Sequence, residues 1–342
     1  MDWLDNGKDC LPPPIECNLD PFAECNLACN FCVGQRYLRT HREEVGEMRK
    51  LPKEYMYRLV DFLATWGVSG LCLSGGGEPS LHDGVWQLPS YAVSKGMDVS
   101  FVTNGVDIHP VLRDNMMACR WVSFSVDAGN YETYKKIKGK DRFTEVINNI
   151  ANIAALRRRT NAKVDLCYKM LILPENIDEI FYACRLAREL GVQDFHVRPV
   201  DYERSDIEGH KKLDIDVEKV QEQFVKCHEL ETEEFRVFTI VHKFDPEFHI
   251  KHDFKKCYAT LILPILTDGS GYLCVDKKME SRFRLGNAFP DPTEILKWWG
   301  SDKHREMIKS VNINECSRCT GSQYNKQIEQ VVLQDKMCLA FP

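Results

Sequence analysis

From about residue 18 to about residue 200 the chain alternates short apolar runs with longer amphipathic ones, and no other feature restricts its fold as much. Residues 69–74, 98–103, 121–127, 164–171 and 194–197 read as strands, with one more expected ahead of Cys25. Between them lie helical patterns. Met56, Leu59, Val60 and Leu63 share one face, with Pro52 near the start and Gly67 at the end. Phe143, Val146, Ile147, Ile150, Ile153 and Ala154 form a second face, and Ile177, Ile180, Phe181, Cys184 and Ala187 a third, closed by Gly191. Strand and helix repeating about six times implies parallel strands joined by right-handed crossovers. The fold class is α/β, either a doubly wound sheet or an eight-fold or partial β/α barrel.

The pattern changes after about residue 205. Residues 1–17, with Pro12-Pro13-Pro14, read as an irregular arm, and 18–210 as the α/β unit. A linking helix (217–230) and strand (235–241) occupy 211–250, and a Cys-bearing α+β tail follows over 251–342. The length of 342 residues suits two domains. A net charge of −6 argues against a nucleic-acid-wrapping face. No apolar run approaches a membrane span, and the start lacks the apolar core of a secretory signal, so a cytoplasmic protein is expected.

In such a protein, fifteen cysteines point to metal binding or burial rather than disulfides. Cys25, Cys29 and Cys32 have the spacing C-x3-C-x2-C. Three thiolates on a short loop can hold three irons of a [4Fe–4S] cluster and leave the fourth open to an exogenous molecule, whereas electron-transfer clusters take four. Structural zinc sites also close with four protein ligands, and no fourth Cys or His follows in the loop.

This triplet, with Phe31 before its last cysteine, resembles the radical S-adenosylmethionine (SAM) superfamily, and further motifs agree. Ser74-Gly75-Gly76-Gly77-Glu78-Pro79 is similar to the family's GGE motif, which implies that Gly76, Gly77 and Glu78 hold the amino group of SAM. Glycines admit close backbone approach, and a carboxylate suits an ammonium. On the fourth strand Ser123, Ser125 and Asp127 alternate with Val122, Phe124 and Val126, so the polar set should line a cavity. Ser125 and Asp127 resemble SAM ribose and carboxylate contacts, and Asn104, after the third strand, is a similar case; polar capping of strand ends is the plainer alternative. His196 and Arg198 on the sixth strand, and Lys169 on the fifth, turn inward by the same argument. They are candidate bases or anion-binding groups, with structural ion pairs equally open.

In the tail, Cys257, Cys274, Cys316 and Cys319 resemble the auxiliary-cluster module of this superfamily, called SPASM in full and twitch when truncated. Asn325 and Glu329 stand where the full form has further cysteines, so one four-cysteine [4Fe–4S] cluster is expected, with a four-thiolate zinc site as the alternative. The resemblance implies a partial (β/α)6 barrel. It also implies reductive cleavage of SAM to a 5′-deoxyadenosyl radical, hydrogen abstraction from a substrate, and a flavodoxin- or ferredoxin-type reductant. A fully ligated second cluster would accept an electron, which favours oxidation of a small molecule such as a sugar or aminocyclitol. A peptide-modifying maturase, cross-linking or epimerising, is the second expectation. Only 24 residues precede Cys25, so the fused leader-binding domain common in maturases is not expected. A non-catalytic Fe–S scaffold is the third, and the GGE match argues against it. Cys10, Cys17, Cys72, Cys119, Cys167, Cys184, Cys227 and Cys338 read mostly as small core residues, with Cys338 also a candidate to approach the site.

Overall fold

The computed structural model describes residues 3–4, 10–32, 34, 49–200, 215–241, 244, 252–258, 261–316 and 319–334. Six strands, β1 (Glu16–Leu19), β2 (Gly70–Leu73), β3 (Asp98–Thr103), β4 (Trp121–Ser125), β5 (Asp165–Ile172) and β6 (Asp194–Pro199), lie side by side in chain order, every neighbouring pair parallel. β7 (Arg236–Thr239) pairs parallel with β6, so the strand expected in a linker extends the core sheet. On the other edge β8 (Ile262–Ile265) runs parallel to β1, followed by antiparallel β9 (Ser270–Tyr272) and β10 (Arg284–Asn287). The order β10-β9-β8-β1-β2-β3-β4-β5-β6-β7 is open at both ends, a partial barrel rather than a closed one. β1 begins at Glu16, inside the segment expected to be an irregular arm.

Helices cover one face. α1 (Lys53–Trp66) buries Tyr55, Met56, Leu59, Val60 and Leu63. α2 (Leu88–Ser94), α3 (Pro110–Asn115) and α4 (Tyr131–Lys138) follow β2, β3 and β4. α5 (Phe143–Thr160) buries Val146, Ile150, Ile153, Ala154 and Leu156, and α6 (Ile180–Leu190) buries Ile180, Ala183, Cys184 and Ala187. α7 (Val217–His228) leads into β7. The helix-facing strand residues are fully apolar in the middle of the sheet: Val99 and Phe101, Val122 and Phe124, Leu166, Tyr168 and Met170, Phe195 and Val197. The alternate residues form the concave face, where Ser100, Ser125, Lys169, His196 and Arg198 are only half buried.

The tail adds α8 (Ile295–Trp298), α9 (Asp302–Lys309) and α10 (Ser322–Gln327). It leans on α1, where the Tyr55 hydroxyl donates to the Ala288 carbonyl at 2.8 Å, and on the N-terminal segment, where Trp3 donates to Gly300 and Trp299 to Pro12, both at 2.9 Å. Cys17, Cys72, Cys119, Cys167, Cys184 and Cys227 are buried, as small core residues should be; Cys10 is exposed instead, and Cys338 lies outside the described residues. Among the described residues no helix is long and apolar enough to cross a membrane.

Candidate functional site

The parallel strands all end on one edge, and the first cysteine loop, the glycine loop, Asn104 and Asp127 follow those ends. Cys25, Cys29 and Cys32 sit on the loop after β1. The Ala28 and Asn30 amides donate to the carbonyls of Lys138 (3.0 Å) and Ile137 (3.1 Å), so the loop satisfies carbonyls that the end of α4 would leave orphaned. Gly139 ends that helix at φ +69°, and a Cβ there would lie 2.7 Å from the Ala28 carbonyl oxygen. Burial pushes the Cys29 thiol up to about 11, with Lys138 the strongest opposing influence and Cys32 and Cys25 adding to the rise, so the three sulfurs share one field. Burial also raises Cys25.

The glycine loop is stacked on this cysteine loop. The Glu78 amide donates to the Glu24 carbonyl at 2.8 Å, and any side chain at Gly77 would collide with the backbone of residues 22–24. Gly76 packs against Gly34, and its amide donates to Asp20 at 3.1 Å. Glu78 is buried and accepts from the Thr103 hydroxyl (2.7 Å), the Asn104 amide (2.7 Å) and the Ser80 amide (3.1 Å). Burial raises its pKa and these donors oppose the rise. Asn104 turns its side-chain NH2 to Asn26 (2.7 Å) and to the Cys25 sulfur (3.7 Å), which joins the end of β3 to the first cysteine.

Asp127, expected as a ligand contact, is held by groups of the chain itself, as Glu78 is. It stands at φ +61°, nearly inaccessible, with one carboxylate oxygen accepting from the Leu171 amide at 2.7 Å and the other paired with Lys138. Lys138 also donates to the Ser125 carbonyl at 2.8 Å and lies 5.5 Å from the centre of the Phe31 ring. Burial disfavours its ammonium, but Asp127 and Cys29 more than offset this and its pKa is raised. Sequence reading missed Lys138: it is one of three lysines in the last turn of a short helix, where basic residues ordinarily face solvent.

On the concave face Ser125 pairs in register with Lys169, and Lys169 with His196. These three therefore form one row across β4, β5 and β6, with the His196 ring 6.4 Å from that of Phe238 on β7. Arg198 stands one step nearer the strand ends, opposite Leu171. A groove of about 880 Å³ opens at the other end of the barrel, between Arg157, Arg188, Glu233 and Arg236, and holds none of the candidate residues.

The tail cysteines form a second neighbourhood. Cys257 and Cys319 both act on Cys274, and Cys257 and Cys316 both act on Cys319. Burial first, then Asp276, raises Cys274 and pushes Cys319 up to about 12; burial also raises Cys316, with Lys277 opposing. The Asp276 amide donates to the Cys274 sulfur at 3.4 Å and the Asn325 side chain to the Cys319 sulfur at 3.6 Å. Asn325 also accepts from the Tyr258 amide at 3.0 Å, and Glu329 takes the amides of Lys255 (2.8 Å) and Lys256 (3.2 Å). Asn325 and Glu329 thus clamp the segment carrying Cys257.

Among the described residues no three His, Cys, Asp or Glu side chains converge on a single metal-ion position. A cubane takes its thiolates at separate corners, and amide donors to sulfur are what such clusters use, so both cysteine sets fit [4Fe–4S] clusters in donor chemistry. The glycine loop beside the first set offers the close backbone approach that an amino-acid group needs.

Comparison with known proteins agrees. Residues 20–187 match the Radical SAM superfamily. The mycofactocin maturase MftC of Mycolicibacterium smegmatis is 28% identical over 183 residues, 53% of this chain and 43% of the maturase. The AdoMet-dependent heme synthase of Methanosarcina barkeri is 29% identical over 201 residues, 53% of this chain and 54% of the synthase. The chain thus spans about half the length of these curated relatives. In fold it is similar to Streptococcus suis SuiB (TM-score 0.67, 16% identity, 92% of this chain and 74% of that one) and to anSMEcpe with bound AdoMet (TM-score 0.63, 18% identity, 92% and 88%). With its trio of cysteines, its glycine loop and its open parallel sheet, the chain carries a Radical SAM superfamily domain over residues 20–187, and SAM and a [4Fe–4S] cluster are the cofactors of that superfamily.

Proposed function

We propose that this chain is a radical SAM oxidoreductase. In this reading the substrate gives up a hydrogen atom from a C–H bond, then a proton and one electron, and leaves oxidised by two electrons. When bound, SAM and the first cluster would supply the hydrogen-abstracting chemistry, and a second cluster held by the tail cysteines would supply the electron acceptor. Residues 18–210 would carry the first task and 251–342 the second.

Cys25, Cys29 and Cys32 would ligate the first cluster. Phe31, Gly76, Gly77, Glu78, Asn104 and Ser125 would surround SAM, while Asp127 orients Lys138 beside Cys29. Cys257, Cys274, Cys316 and Cys319 would close the second cluster completely. The observation that carries oxidation is the clamp by Asn325 and Glu329: both hold backbone around Cys257, and the four thiols share one electrostatic neighbourhood. A cluster with four protein ligands has no iron open to substrate, so it exchanges electrons instead.

The row of Ser125, Lys169 and His196, with Arg198 beyond it, faces the concavity and would bind a polar small molecule. Lys169 or His196 would take the departing proton, and Arg198 would hold an anionic group. A second reading, a peptide substrate, is favoured by the relatives: one is a maturase, and SuiB has been solved bound to a precursor peptide, SuiA. A flavodoxin- or ferredoxin-type protein would be the reductant.

The test is anaerobic incubation with SAM, dithionite and candidate substrates deuterated at carbon. Deuterium in 5′-deoxyadenosine, with a product two hydrogens lighter, is the expected result. Deuterium transfer with a product of unchanged mass would mean redox-neutral chemistry and would overturn the oxidoreductase reading.

A further inference from the structure

We propose that Lys278 is a positioning residue that ties the tail to the glycine loop and sets the affinity for SAM. The inference rests on the reading of residues 76–78 as the SAM amino-group site.

Lys278 lies four residues beyond Cys274, yet its ammonium leaves the tail and enters the barrel at the end of β1. There it donates to both oxygens of Asp20, at 2.9 and 2.8 Å, and approaches the Asn18 side-chain oxygen at 3.5 Å. Asn18 and Asp20 are two residues apart, so they project to the same side of the extended chain. Each in turn holds the loop after β2. Asp20 accepts from the Gly76 amide at 3.1 Å, and Asn18 exchanges hydrogen bonds with the Ser74 hydroxyl at 3.1 and 3.3 Å. One cation therefore fixes two acceptors that hold both ends of the segment from Ser74 to Gly76.

Two further observations show that the geometry is built. The next residue, Met279, has φ +78°, a conformation a non-glycine side chain adopts at a cost, and one that persists only where its surroundings enforce it. It is buried against Ala23, two residues before Cys25, together with Leu266 and Tyr272. Adjacent lysines also point to different places. Lys277 acts on Cys316 and pairs with Glu280 at 3.1 Å, whereas Lys278 reaches Asp20, whose side chain is 3% exposed. A buried carboxylate without its cation is unfavourable, so removing Lys278 would release Asp20 from its place under Gly76. A loop that must then be ordered on binding costs affinity.

The test is a SAM titration of the reconstituted, reduced protein, followed by the change that SAM causes in the cluster's electron paramagnetic resonance signal, alongside thermal melts. Lys278→Met should weaken SAM binding about tenfold or more, the size expected when a fixed hydrogen-bond acceptor is lost. Lys278→Arg should recover most of that affinity. Met279→Ala loosens the same docking surface without touching Asp20, and should lower the melting temperature while leaving SAM affinity within about threefold. If Lys278→Met binds SAM within about twofold of wild type, or if Met279→Ala weakens binding equally, Lys278 only docks the tail and the inference is wrong. A wild type that shows no SAM-dependent signal would remove the SAM site itself, and this inference with it.

Discussion

The two cysteine sites are built in opposite ways. The first has its three cysteines within eight residues, and its loop is held largely by backbone: amides to the end of α4, and Gly77 and Gly139 in contacts that admit no side chain. The second draws its cysteines from positions 257 to 319, and side chains hold it together: Asp276 on Thr320, Asn325 on Tyr258, Glu329 on Lys255. A site made from one loop fixes its own spacing and can be read as a motif. A site assembled across the fold depends on every clamp, and can lose ligands without losing its architecture.

The largest effect that would break this contrast concerns the first loop. Cys29→Ala should bring reductive SAM cleavage to background and lower iron from about eight to about four per chain. Iron and zinc analysis with 5′-deoxyadenosine assays checks this. If iron starts at about four and falls to none while about one zinc remains, the tail site is structural zinc.

The second effect separates the two sites. Cys274→Ala should leave SAM cleavage within about threefold while iron drops by about four and oxidised product disappears. Continued product formation would show that the tail site is not the electron acceptor.

These expectations differ in how far the sequence alone supports them. The period-two and period-3.6 patterns place β3 at 98–103 and the buried faces of α1, α5 and α6 where the structure has them. They work because a half-buried element must segregate its side chains. The same alternation put Lys169, His196 and Arg198 on the concave face. What was not legible is pairing between distant segments. Nothing in residues 262–265 announces that they lie beside β1, and nothing in 236–239 that they extend the sheet. Lys138 meets Asp127 because α4 folds back beneath β4, and Lys278 meets Asp20 across 258 residues of chain. Lysines carry no local mark of burial, because only a partner brought by the fold makes burial possible.

A third and smaller effect sharpens the comparison through Lys138, the buried cation that acts on Cys29. A nearby positive charge favours the more negative, reduced cluster. Its removal should therefore shift the first cluster's potential negative, by a few tens of millivolts, and leave the tail cluster's potential in place. Lys138→Met alone strands buried Asp127 and would cost about 3–5 kcal/mol of stability. The double variant Lys138→Met/Asp127→Asn avoids this and, because Asp127 acts on Cys29 in the opposite sense, should give the smaller negative shift; Lys138→Arg keeps the charge. Redox titration of each cluster's signal is the measurement; a shift of both clusters together would mean the change is global.

The smallest effect concerns how the tail is held rather than what it binds. His304 on α9 is fully buried between Trp3 and Trp299, with ring centroids 5.4 and 4.8 Å away. Its Nδ1 accepts from the Gly300 amide at 3.1 Å, so the ring is the neutral tautomer with its proton on Nε2. Burial lowers its pKa from 6.5 to about 4. In the unfolded chain the ring takes a proton near the ordinary histidine value, so between those two values the unfolded state binds more protons and stability falls as pH falls. Below the folded-state value both states are protonated and the dependence ends. From pH 7 to pH 5 the loss should be about 2 kcal/mol, and His304→Gln should remove most of it. Urea unfolding followed by tryptophan fluorescence reads this directly, because Trp3 and Trp299 flank the ring. If the pH dependence persists in His304→Gln, acid acts elsewhere. If it vanishes, acid loosens the side-chain-built half of the molecule while the backbone-held cysteine loop stays in place.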